Sequence, residues 1–489
     1  MDAISLILVP ILVLLISVWI SVRRKGNNPL PGPLGLPFVG YIPFMTSKPY
    51  VKLAKLAKRY GPVYSVRLGG REIIILTDFK SIKEAFASDA FMGRPKDLPF
   101  DLSETTKKTG AFHGKEWKDQ KAFALHMLRD LGFGKTKMEE HLREEIEDVL
   151  NRMDELVGKP TRLADILSPS VTNNIGSLLF GKRRDHSDPK LTQLQSNIND
   201  IGRLAGATTW QLFFPWIGAI LGYFKIGDKG RLKMANQYLQ EYVDEEIKEH
   251  LKSLDSNNIR DFIDGYLLQM EKKSKDPSST FHRDVLIDVG RGFFAAGSET
   301  AWISVNWFLL ICAAFPEVQK KIHEEIMETL GHERFPTRAD YMNMPYTEAI
   351  IMEINRWITT IPLNIMRSTL EDTELNGYFI PKDSYVLADL WAVHHDKTLW
   401  GKDADIFKPE RFLSEDGKKV IKPEYYIPFS IGKCQCPGKI FAEVELFLYD
   451  VAILQRFEVS LPLGKKADLE GVLGITLQPK RQELILKRR

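Results

Sequence analysis

One long apolar segment in the middle of the chain constrains the fold most strongly. Gly292–Phe315 carries a single formal charge, Glu299, and the helical pattern continues upstream to Arg283. Together they predict a helix of about 33 residues, roughly 50 Å long at 1.5 Å per residue. Hydropathy alone would permit a membrane span, but Gly297–Thr300 (GSET) places a carboxylate and two hydroxyls in its middle, which lipid penalises heavily. We therefore predict a long helix buried through a large globule.

The remainder of the chain has patterns typical of a mainly α structure with a minor β part. Met138–Leu156 and Pro316–Leu330 carry apolar residues at three- and four-residue spacing, which predicts surface helices. Pro62–Asp78 predicts a β-hairpin, because strand-like runs flank Gly69–Gly70. With 489 residues, 44% of them hydrophobic, and no internal repeat or long linker, the chain is predicted to form one large domain behind a short N-terminal segment.

The N-terminal segment is predicted to be a membrane anchor. Ala3–Ile20 is uncharged and apolar, at the lower edge of the roughly 17–25 residues that span a bilayer as a helix. Arg23–Lys25 follows at once, which by the positive-inside rule keeps the rest of the chain cytosolic. A cleaved signal peptide is the alternative, but it would carry positive charge before the apolar run. We expect an anchor at residues 1–22, a basic and proline-rich hinge at 23–40, and the folded body at 41–489.

The charge balance and the cysteines exclude several functions. The net charge of +3 provides no concentrated basic footprint for nucleic acid. Three cysteines are too few for a disulfide framework, which predicts a reduced, cytosolic-side protein. Cys434 and Cys436 lie two residues apart, a spacing that leaves a metal clamp, a redox pair and a loop presenting one sulfur open. A zinc site needs two further ligands and a redox pair is normally C-x-x-C, so one sulfur offered to a large cofactor remains.

The segment around these cysteines resembles the haem-ligand loop of the cytochrome P450 family. In Pro428–Gly438 (PFSIGKCQCPG), the residues Phe429, Gly432, Cys436 and Gly438 are in register with the family pattern F-x-x-G-x-x-x-C-x-G. Five further segments resemble the family and occur in the family's order along the chain: Phe91–Pro95 (FMGRP), Trp117–Lys121 (WKDQK), Ala295–Thr300 (AAGSET), Glu353–Arg356 (EINR) and Phe407–Phe412 (FKPERF). The first of them resembles the microsomal animal members. The resemblance covers about residue 29 to the end of the chain.

The resemblance implies a cytochrome P450 fold that holds haem b, with the Cys436 thiolate as the axial ligand of the iron. Thiolate ligation favours O–O cleavage, and the N-terminus of the helix predicted at Lys439–Phe457 stabilises a nearby anion. The cofactor-binding residues implied by the family motifs are Cys436, Trp117, Lys121, Arg367, Phe429 and Gly432. Cys434 stands where the family usually has Arg or His, and Lys121 where it has Arg. We therefore expect a weaker hold on the haem propionates, with a small buried filler as the alternative role of Cys434.

Glu299 and Thr300 are the predicted catalytic residues. A carboxylate and a hydroxyl in an apolar helix cost free energy unless they are satisfied. As alternatives, Thr300 donates to the carbonyl of Ala296, and Glu299 belongs to a buried ion pair. Gly297 favours the catalytic role, since a missing side chain permits the close approach of a flat cofactor. In the family, this acid–alcohol pair delivers protons during oxygen activation.

Three other charged residues are predicted to be structural. Glu353, Arg356 and Arg411 match family positions, and a buried network of one carboxylate and two guanidinium groups can lock a fold. Removing one partner from such a network would leave a buried charge unpaired. The alternative is three solvated surface charges.

The resemblance implies a haem-thiolate monooxygenase that inserts one oxygen atom of O2 into a lipophilic small molecule with electrons from NADPH. The chain carries no flavin or nicotinamide motif, so we expect NADPH-cytochrome P450 reductase as electron donor, with cytochrome b5 as an additional partner. Lysines that could dock an acidic donor are Lys115, Lys118, Lys135, Lys433 and Lys439. The segments that correspond to pocket walls in the family are mostly apolar: Pro99–Phe112, Thr208–Phe224, Phe293–Ala296, Ile361–Ile365 and Val472–Thr476.

The predicted location is the endoplasmic reticulum membrane, with a single-pass anchor and the haem-thiolate catalytic domain (41–489) on the cytosolic side. Phe213–Phe224 is uncharged and aromatic, which suits either a membrane contact or ordinary core. Two other functions remain as alternatives. One is a thiolate-haem isomerase or dehydratase acting on lipid peroxides, which would not need the proton relay. The other is a non-catalytic haem-binding protein. No nucleic-acid partner is expected.

Overall fold

A computed structural model of the chain describes residues 30–95, 103–109, 112–132, 136–206 and 213–489. The predicted anchor and the first part of the hinge lie outside these residues. The helices are α1 (Pro49–Tyr60), α2 (Phe79–Ala87), α3 (Glu104–Thr109), α4 (Gly114–Asp130), α5 (Thr136–Asp154), α6 (Ala164–Phe180), α7 (Pro189–Leu204), α8 (Pro215–Tyr223), α9 (Gly227–Lys252), α10 (Phe262–Lys272), α11 (Arg283–Ala314), α12 (Pro316–Thr329), α13 (Pro345–Ile358), α14 (Leu390–His394), α15 (Lys397–Trp400) and α16 (Lys439–Arg456).

The strands are short and confirm the predicted minor β part. They are β1 (Val63–Leu68), β2 (Arg71–Leu76), β3 (Arg367–Ser368), β4 (Thr373–Leu375), β5 (Tyr378–Ile380), β6 (Tyr385–Ala388), β7 (Phe457–Ser460), β8 (Gly471–Leu473), β9 (Leu477–Pro479) and β10 (Ile485–Arg488). The predicted hairpin is confirmed, because β1 and β2 pair antiparallel from Val63↔Leu76 to Leu68↔Arg71. In the described part of the chain, β6 and β3 extend this hairpin into a sheet of order β1-β2-β6-β3. The pairs β7–β10, β4–β5 and β8–β9 form separate ribbons.

Helix α11 is the long buried helix that the apolar segment predicts. It runs for 32 residues and packs against α6, α9 and α16. Trp307 on this helix is fully buried, and its indole N–H donates to the carbonyl of Leu477 at the start of β9 (2.8 Å). The prediction of a long helix through the core is therefore confirmed.

Among the residues described, no single helix is long and apolar enough to cross a membrane. Helices α11 and α12 reach that length and apolarity only as a pair, and the chain bends by 110° at the break between them.

A buried ionic network fixes helix α13 to the segment that follows α15. Glu353 accepts from Arg356 (2.7 Å) and from Arg411 (3.1 Å), and the exposed fractions of the three side chains are 0%, 0% and 8%. The backbone N–H of Lys408 also donates to Glu353 (2.8 Å), and Arg356 donates to the carbonyl of His394. Each charge has several partners, so the three residues form the buried network that the sequence predicted and are not solvated surface charges.

Substituting Glu353 with alanine should strongly destabilise the protein. The change leaves two buried guanidinium groups without their carboxylate, which typically costs about 3–5 kcal/mol. The free energy of unfolding, measured by urea denaturation, tests this expectation. Lys321→Ala is the control, because it removes an exposed ion pair with Glu410, worth about 0–1 kcal/mol. Equal losses for the two variants would contradict a structural role for the network.

Candidate active site

The cysteine-containing loop has a fixed backbone. The N–H of Cys436 donates to the carbonyl of Phe429 (3.1 Å), and Gly432 begins a short 3-10 turn between them. Gly432 has a φ of +77°, and a Cβ at this position would lie 2.2 Å from the backbone oxygen of Phe86. The loop therefore needs glycine at position 432 both for its conformation and for its contact with the end of α2.

The thiol of Cys436 is accessible to solvent although protein atoms surround much of it. Its side chain is exposed, yet surrounding protein raises the pKa of the thiol. The backbone N–H groups of Gly438 and Lys439 and the ammonium of Lys121 oppose this rise in pKa. The N–H donors at the N-terminus of α16 thus point at the sulfur, as expected for a loop that presents a thiolate to a ligand. Cys312, in contrast, is fully buried in α11.

Helix α4 carries two of the predicted cofactor-binding residues. Lys121 is half-buried, and its ammonium donates to the carbonyls of Lys433 (3.1 Å) and Gln435 (3.0 Å). These carbonyls flank Cys434, so Lys121 links α4 to the cysteine loop. Trp117 lies one helical turn earlier and stacks on Phe112, with ring centroids 5.5 Å apart. Both residues therefore lie on the same side of α4.

Two arginines meet beside the loop, Arg367 buried and Arg94 half-buried. Arg367 at the start of β3 is 1% exposed, and its Nε and Nη1 have no hydrogen-bond partner among the described residues. Burial and the neighbouring Arg94 lower the pKa of Arg367 to about 9, and Cys434 opposes this shift. Burial also lowers the pKa of Arg94, whose Nη1 donates to the carbonyls of Ile365 (3.0 Å) and Met366 (3.1 Å). No carboxylate in the described ranges pairs with either arginine, so this place favours an anionic ligand.

The central helix presents an accessible stripe although it runs through the core. Gly292 and Ala296 are exposed and Thr300 is half-buried, at four-residue spacing, while the residues on the other sides of α11 are mostly buried. A Cβ added to Gly292 would meet no atom within 4 Å. The stripe therefore offers one face of the helix to a ligand.

The role predicted for Gly297 is wrong. A Cβ at this position would lie 2.9 Å from the side chain of Ile175 on α6. Gly297 therefore permits the close packing of two helices and does not face the accessible stripe. Sequence alone could not separate these two uses of a missing side chain.

Glu299 and Thr300 point in different directions. The hydroxyl of Thr300 donates to the carbonyl of Ala296 (2.9 Å), the structural alternative named above. Glu299 is buried and accepts from Thr476 and from Gln478, each at 2.9 Å, and it forms no ion pair with any residue that the structure describes. Burial raises the pKa of Glu299 to about 7, and these two donors oppose the rise. The carboxyl group can therefore gain and lose a proton near neutral pH.

One other group in the described part of the chain has the arrangement of a metal site. It consists of His250, Asp261 and Asp264. His250 bonds to Asp261 (2.7 Å), Asp261 accepts from the backbone N–H of Asp264 (3.0 Å), and Arg260 pairs with Asp264 (2.6 Å). Asp261 is the N-cap of α10. These bonds explain why the three side chains lie together: they cap the N-terminus of α10.

The structure joins most of the predicted cofactor-binding residues in one cluster. Cys436, Phe429 and Gly432 form the loop, Lys121 bonds to it, and Arg367 interacts electrostatically with Cys434 and Lys121. The Glu299–Thr300 pair lies on α11, which packs against α16.

Three polar residues at this site are not predicted to be functional from the sequence. Arg94 lies in the segment FMGRP that resembles the family, and an arginine directly between Gly93 and Pro95 was a usable signal. Thr476 ends a segment that corresponds to a pocket wall in the family, and Gln478 lies outside every motif. Nothing in their local sequence connects either residue to Glu299.

The comparisons with known proteins agree on one family. The sequence model described as Cytochrome P450 matches residues 30–486. The chain is 37% identical to cytochrome P450 2U1 of Rattus norvegicus, over 97% of this chain and 93% of that protein. It is 33% identical to cytochrome P450 18a1 of Drosophila melanogaster, over 98% and 90%, and 35% identical to cytochrome P450 2J2 of Homo sapiens, over 97% and 94%. Each similarity spans nearly the full length of both chains.

Substituting Gly432 with alanine should displace the cysteine loop. The new Cβ would collide with the backbone of Phe86, which cannot move aside without shifting α2. Gly417→Ala is the control, because Gly417 has a similar φ of +70° and no atom within 4 Å of an added Cβ. Both variants incur the left-handed strain of about 1–2 kcal/mol, and we expect only Gly432→Ala to lose more than this in thermal unfolding. Equal unfolding midpoints would show that the loop can adapt to the side chain.

Proposed function

The chain belongs to the cytochrome P450 family and is a monooxygenase, and from that premise we propose that it inserts one oxygen atom of O2 into a lipophilic small molecule. Electrons would come from NADPH through a separate reductase. The observation that carries the proposal is the accessible thiol of Cys436 in a loop beside two arginines, one buried and one half-buried, that lack a carboxylate partner among the described residues. A sulfur ligand next to paired cations fits a metal complex with anionic side groups.

We propose that Cys436 is the axial ligand of haem b. The loop holds the sulfur in place through the bond between the Cys436 N–H and the Phe429 carbonyl. The N–H groups of Gly438 and Lys439 would stabilise its thiolate form. When bound, haem supplies the iron at which O2 is reduced and its O–O bond is split. Cys434 would not bind iron, because it lies on the side of the loop that interacts with Arg94 and Arg367.

The haem propionates would pair with Arg367 and Arg94. Arg367 has two unpartnered donor atoms and Arg94 lies beside it, so two propionates would satisfy charges that the described protein leaves uncompensated. Lys121 and Trp117 on α4 can add donors on the same side. Because Arg94 is also present, the site would bind the propionates more strongly than expected from the cysteine at position 434, where the family usually has Arg or His.

Glu299 and Thr300 would deliver protons. Glu299 can exchange a proton near neutral pH, which is the range in which general acid–base groups are effective. Thr300 lies on the accessible stripe of α11, and rotation of its hydroxyl can replace the bond to Ala296 with one to a ligand or to water.

The membrane location is supported by two exposed apolar groups. Leu34, Leu36 and Phe38 follow the predicted anchor, and Tyr223 and Phe224 lie at the end of α8, all of them exposed. Both groups belong to segments that contact the turn of the β1–β2 hairpin. For the first group the contact is a β-bridge between residues 40 and 68. For the second it is a backbone hydrogen bond from the N–H of residue 70 to the carbonyl of residue 213. A continuous apolar surface here would contact the endoplasmic reticulum membrane, to which residues 1–22 would anchor the chain.

The electron donor would dock near the cysteine loop. Lys118 and Lys433 both pair with Asp89 (2.9 and 2.7 Å), and Lys439 lies 3.9 Å from Glu443. These acids reduce the local positive charge, so docking of an acidic reductase or of cytochrome b5 would compete with internal ion pairs. The side chain of Lys115 and all of Lys135 lie outside the described part of the chain.

Reconstituting the full chain with NADPH-cytochrome P450 reductase in lipid vesicles tests the function. With labelled O2 and a panel of lipophilic compounds, we expect product that contains one labelled oxygen atom and that requires NADPH. Conversion of a lipid hydroperoxide without NADPH would indicate the isomerase or dehydratase instead. Haem binding without product from any compound would indicate the non-catalytic alternative.

Two serine variants identify the ligand in the same experiment. Cys436→Ser should abolish both product and the red-shifted Soret band of the reduced protein under carbon monoxide, because an alcohol cannot replace the thiolate. Cys434→Ser is the matched control and should retain both. The reverse pattern would place the ligand two residues earlier.

Replacing Arg367 with methionine should have opposite effects on the haem-free and haem-bound protein. Without haem, the change removes a buried charge that lies over the ring of Phe86 but has no carboxylate partner among the described residues, so the thermal midpoint should rise. With haem, it removes a charged hydrogen bond, so transfer of haem to an acceptor protein should become about 10- to 100-fold faster. Arg334→Met is the control, because Arg334 pairs with Asp340 and its loss should lower the midpoint and leave haem loss unchanged. A lower midpoint for haem-free Arg367→Met would show that the protein itself compensates this charge.

A further inference from the structure

Three elements meet at the carboxyl group of Glu299. They are α11 itself, the C-terminal end of α7 and the turn between β8 and β9. A Cβ at Gly202 in α7 would lie 1.8 Å from Oε1 of Glu299, and one at Gly474 in the turn would lie 2.3 Å from the carbonyl oxygen of Gly202. The N–H of Ile475 donates to that same oxygen (2.7 Å). Glycines at these two positions therefore allow the three backbones to enclose the carboxyl group.

Two side chains from the β8–β9 hairpin bind one oxygen of this carboxyl. The hydroxyl of Thr476 and the amide of Gln478 both donate to Oε1 of Glu299 at 2.9 Å. Oε2 receives no hydrogen bond from any residue in the described ranges. The donors are themselves held in place, because Thr476 is fully buried and its carbonyl accepts from the N–H of Gly474 (2.9 Å).

This asymmetry decides where a proton can reside. The two hydrogen bonds to Oε1 occupy both of its lone pairs, so that a proton on the carboxyl group is held on Oε2. The two donors stabilise the charged form, and burial destabilises it, so that the balance leaves the pKa of Glu299 at about 7. Charged side chains next along these elements pair elsewhere, Arg203 with Asp200 and Lys480 with Asp468.

We propose that Thr476 and Gln478 are positioning residues for proton delivery, which hold Oε1 of Glu299 so that Oε2 takes up a proton supplied by bulk solvent and gives it to the oxygen atom of O2 that leaves as water. The carboxyl returns to the carboxylate after each transfer, and no other group of the protein changes its charge. This role rests on the proposed monooxygenase function, in which Glu299 is the acid. Neither residue would touch the haem or the substrate atoms that react.

Removing one donor at a time tests the proposal in the haem-bound full chain. Thr476→Val and Gln478→Leu each delete a hydrogen bond to Oε1 with little change in volume, and Thr476→Ser keeps it. Gln482→Leu is the matched control, because Gln482 is half-buried in the same segment and bonds to the carbonyl of Asp468, not to Glu299. The Soret band under carbon monoxide should be unchanged in all four variants, which shows that the haem site is intact.

The first readout is infrared titration of the Glu299 carboxyl, assigned by subtracting the spectrum of Glu299→Gln. We expect the wild type, Thr476→Ser and Gln482→Leu to titrate near neutral pH, and Thr476→Val and Gln478→Leu to titrate at higher pH because burial is then less opposed. The second readout is the fraction of NADPH electrons recovered in product. It should fall about tenfold in Thr476→Val and Gln478→Leu, part of the roughly 10²–10⁴-fold that a general acid supplies.

The possible results distinguish a failure of the positioning role from a failure of the proposed monooxygenase function. If the wild type forms no NADPH-dependent product, the monooxygenase function fails, whatever the titration shows. If the wild type is active and either readout of Thr476→Val and Gln478→Leu equals that of Gln482→Leu, the positioning role is overturned. Should Thr476→Val fail to fold, Gln478→Leu decides alone, since Gln478 is only half-buried.

Discussion

Helix α11 can remain in the middle of the protein only because its neighbours bury its apolar sides and bond its polar groups. Near its N-terminal end, Asp288 accepts from Arg291 (3.0 Å) and from the hydroxyl of Thr106 on α3 (2.5 Å). In its middle, the β8–β9 hairpin bonds to Glu299, and further along, Trp307 donates to the carbonyl at the start of β9. An unsatisfied polar group at any of these points would cost about 1–3 kcal/mol. The hairpin and α3 thus supply the hydrogen-bond partners that the buried polar groups of α11 need.

Two buried charged groups in the described part of the chain differ in a way that separates structure from function. The carboxylate of Glu353 is surrounded by donors from Arg356, Arg411 and Lys408, so nothing is left for a ligand. Arg367 is buried to the same degree and has donor atoms without partners in the described chain. Because a buried charge is costly unless it is paired, a fold that retains such an arginine favours an anionic ligand there. The satisfied network supports the fold, and the unpartnered donors of Arg367 lie beside the cysteine loop, at the proposed site.

Glycine has several uses around the site that the sequence does not distinguish. At position 432 it permits a left-handed turn against α2, at 297 it lets α6 pack on α11, and at 202 it admits the carboxyl group of Glu299. Only the first use follows from the family pattern. The interpretation of Gly297 as an opening for a cofactor was wrong because the direction of a missing side chain depends on the rotation of the helix in the assembled core.

The sequence by itself determined the features that are encoded locally: the long helix from its run of apolar residues, the β1–β2 hairpin from alternation around two glycines, and the cysteine loop from the spacing of its motif. Only the tertiary structure decided which distant residues meet. It placed Arg94 beside Arg367, directed Lys121 to the carbonyls of the cysteine loop, and provided Glu299 with partners from a hairpin far along the chain. Periodicity and motif spacing record the conformation of neighbouring residues. Contacts between remote segments arise from how whole elements pack, and no short stretch of sequence contains that information.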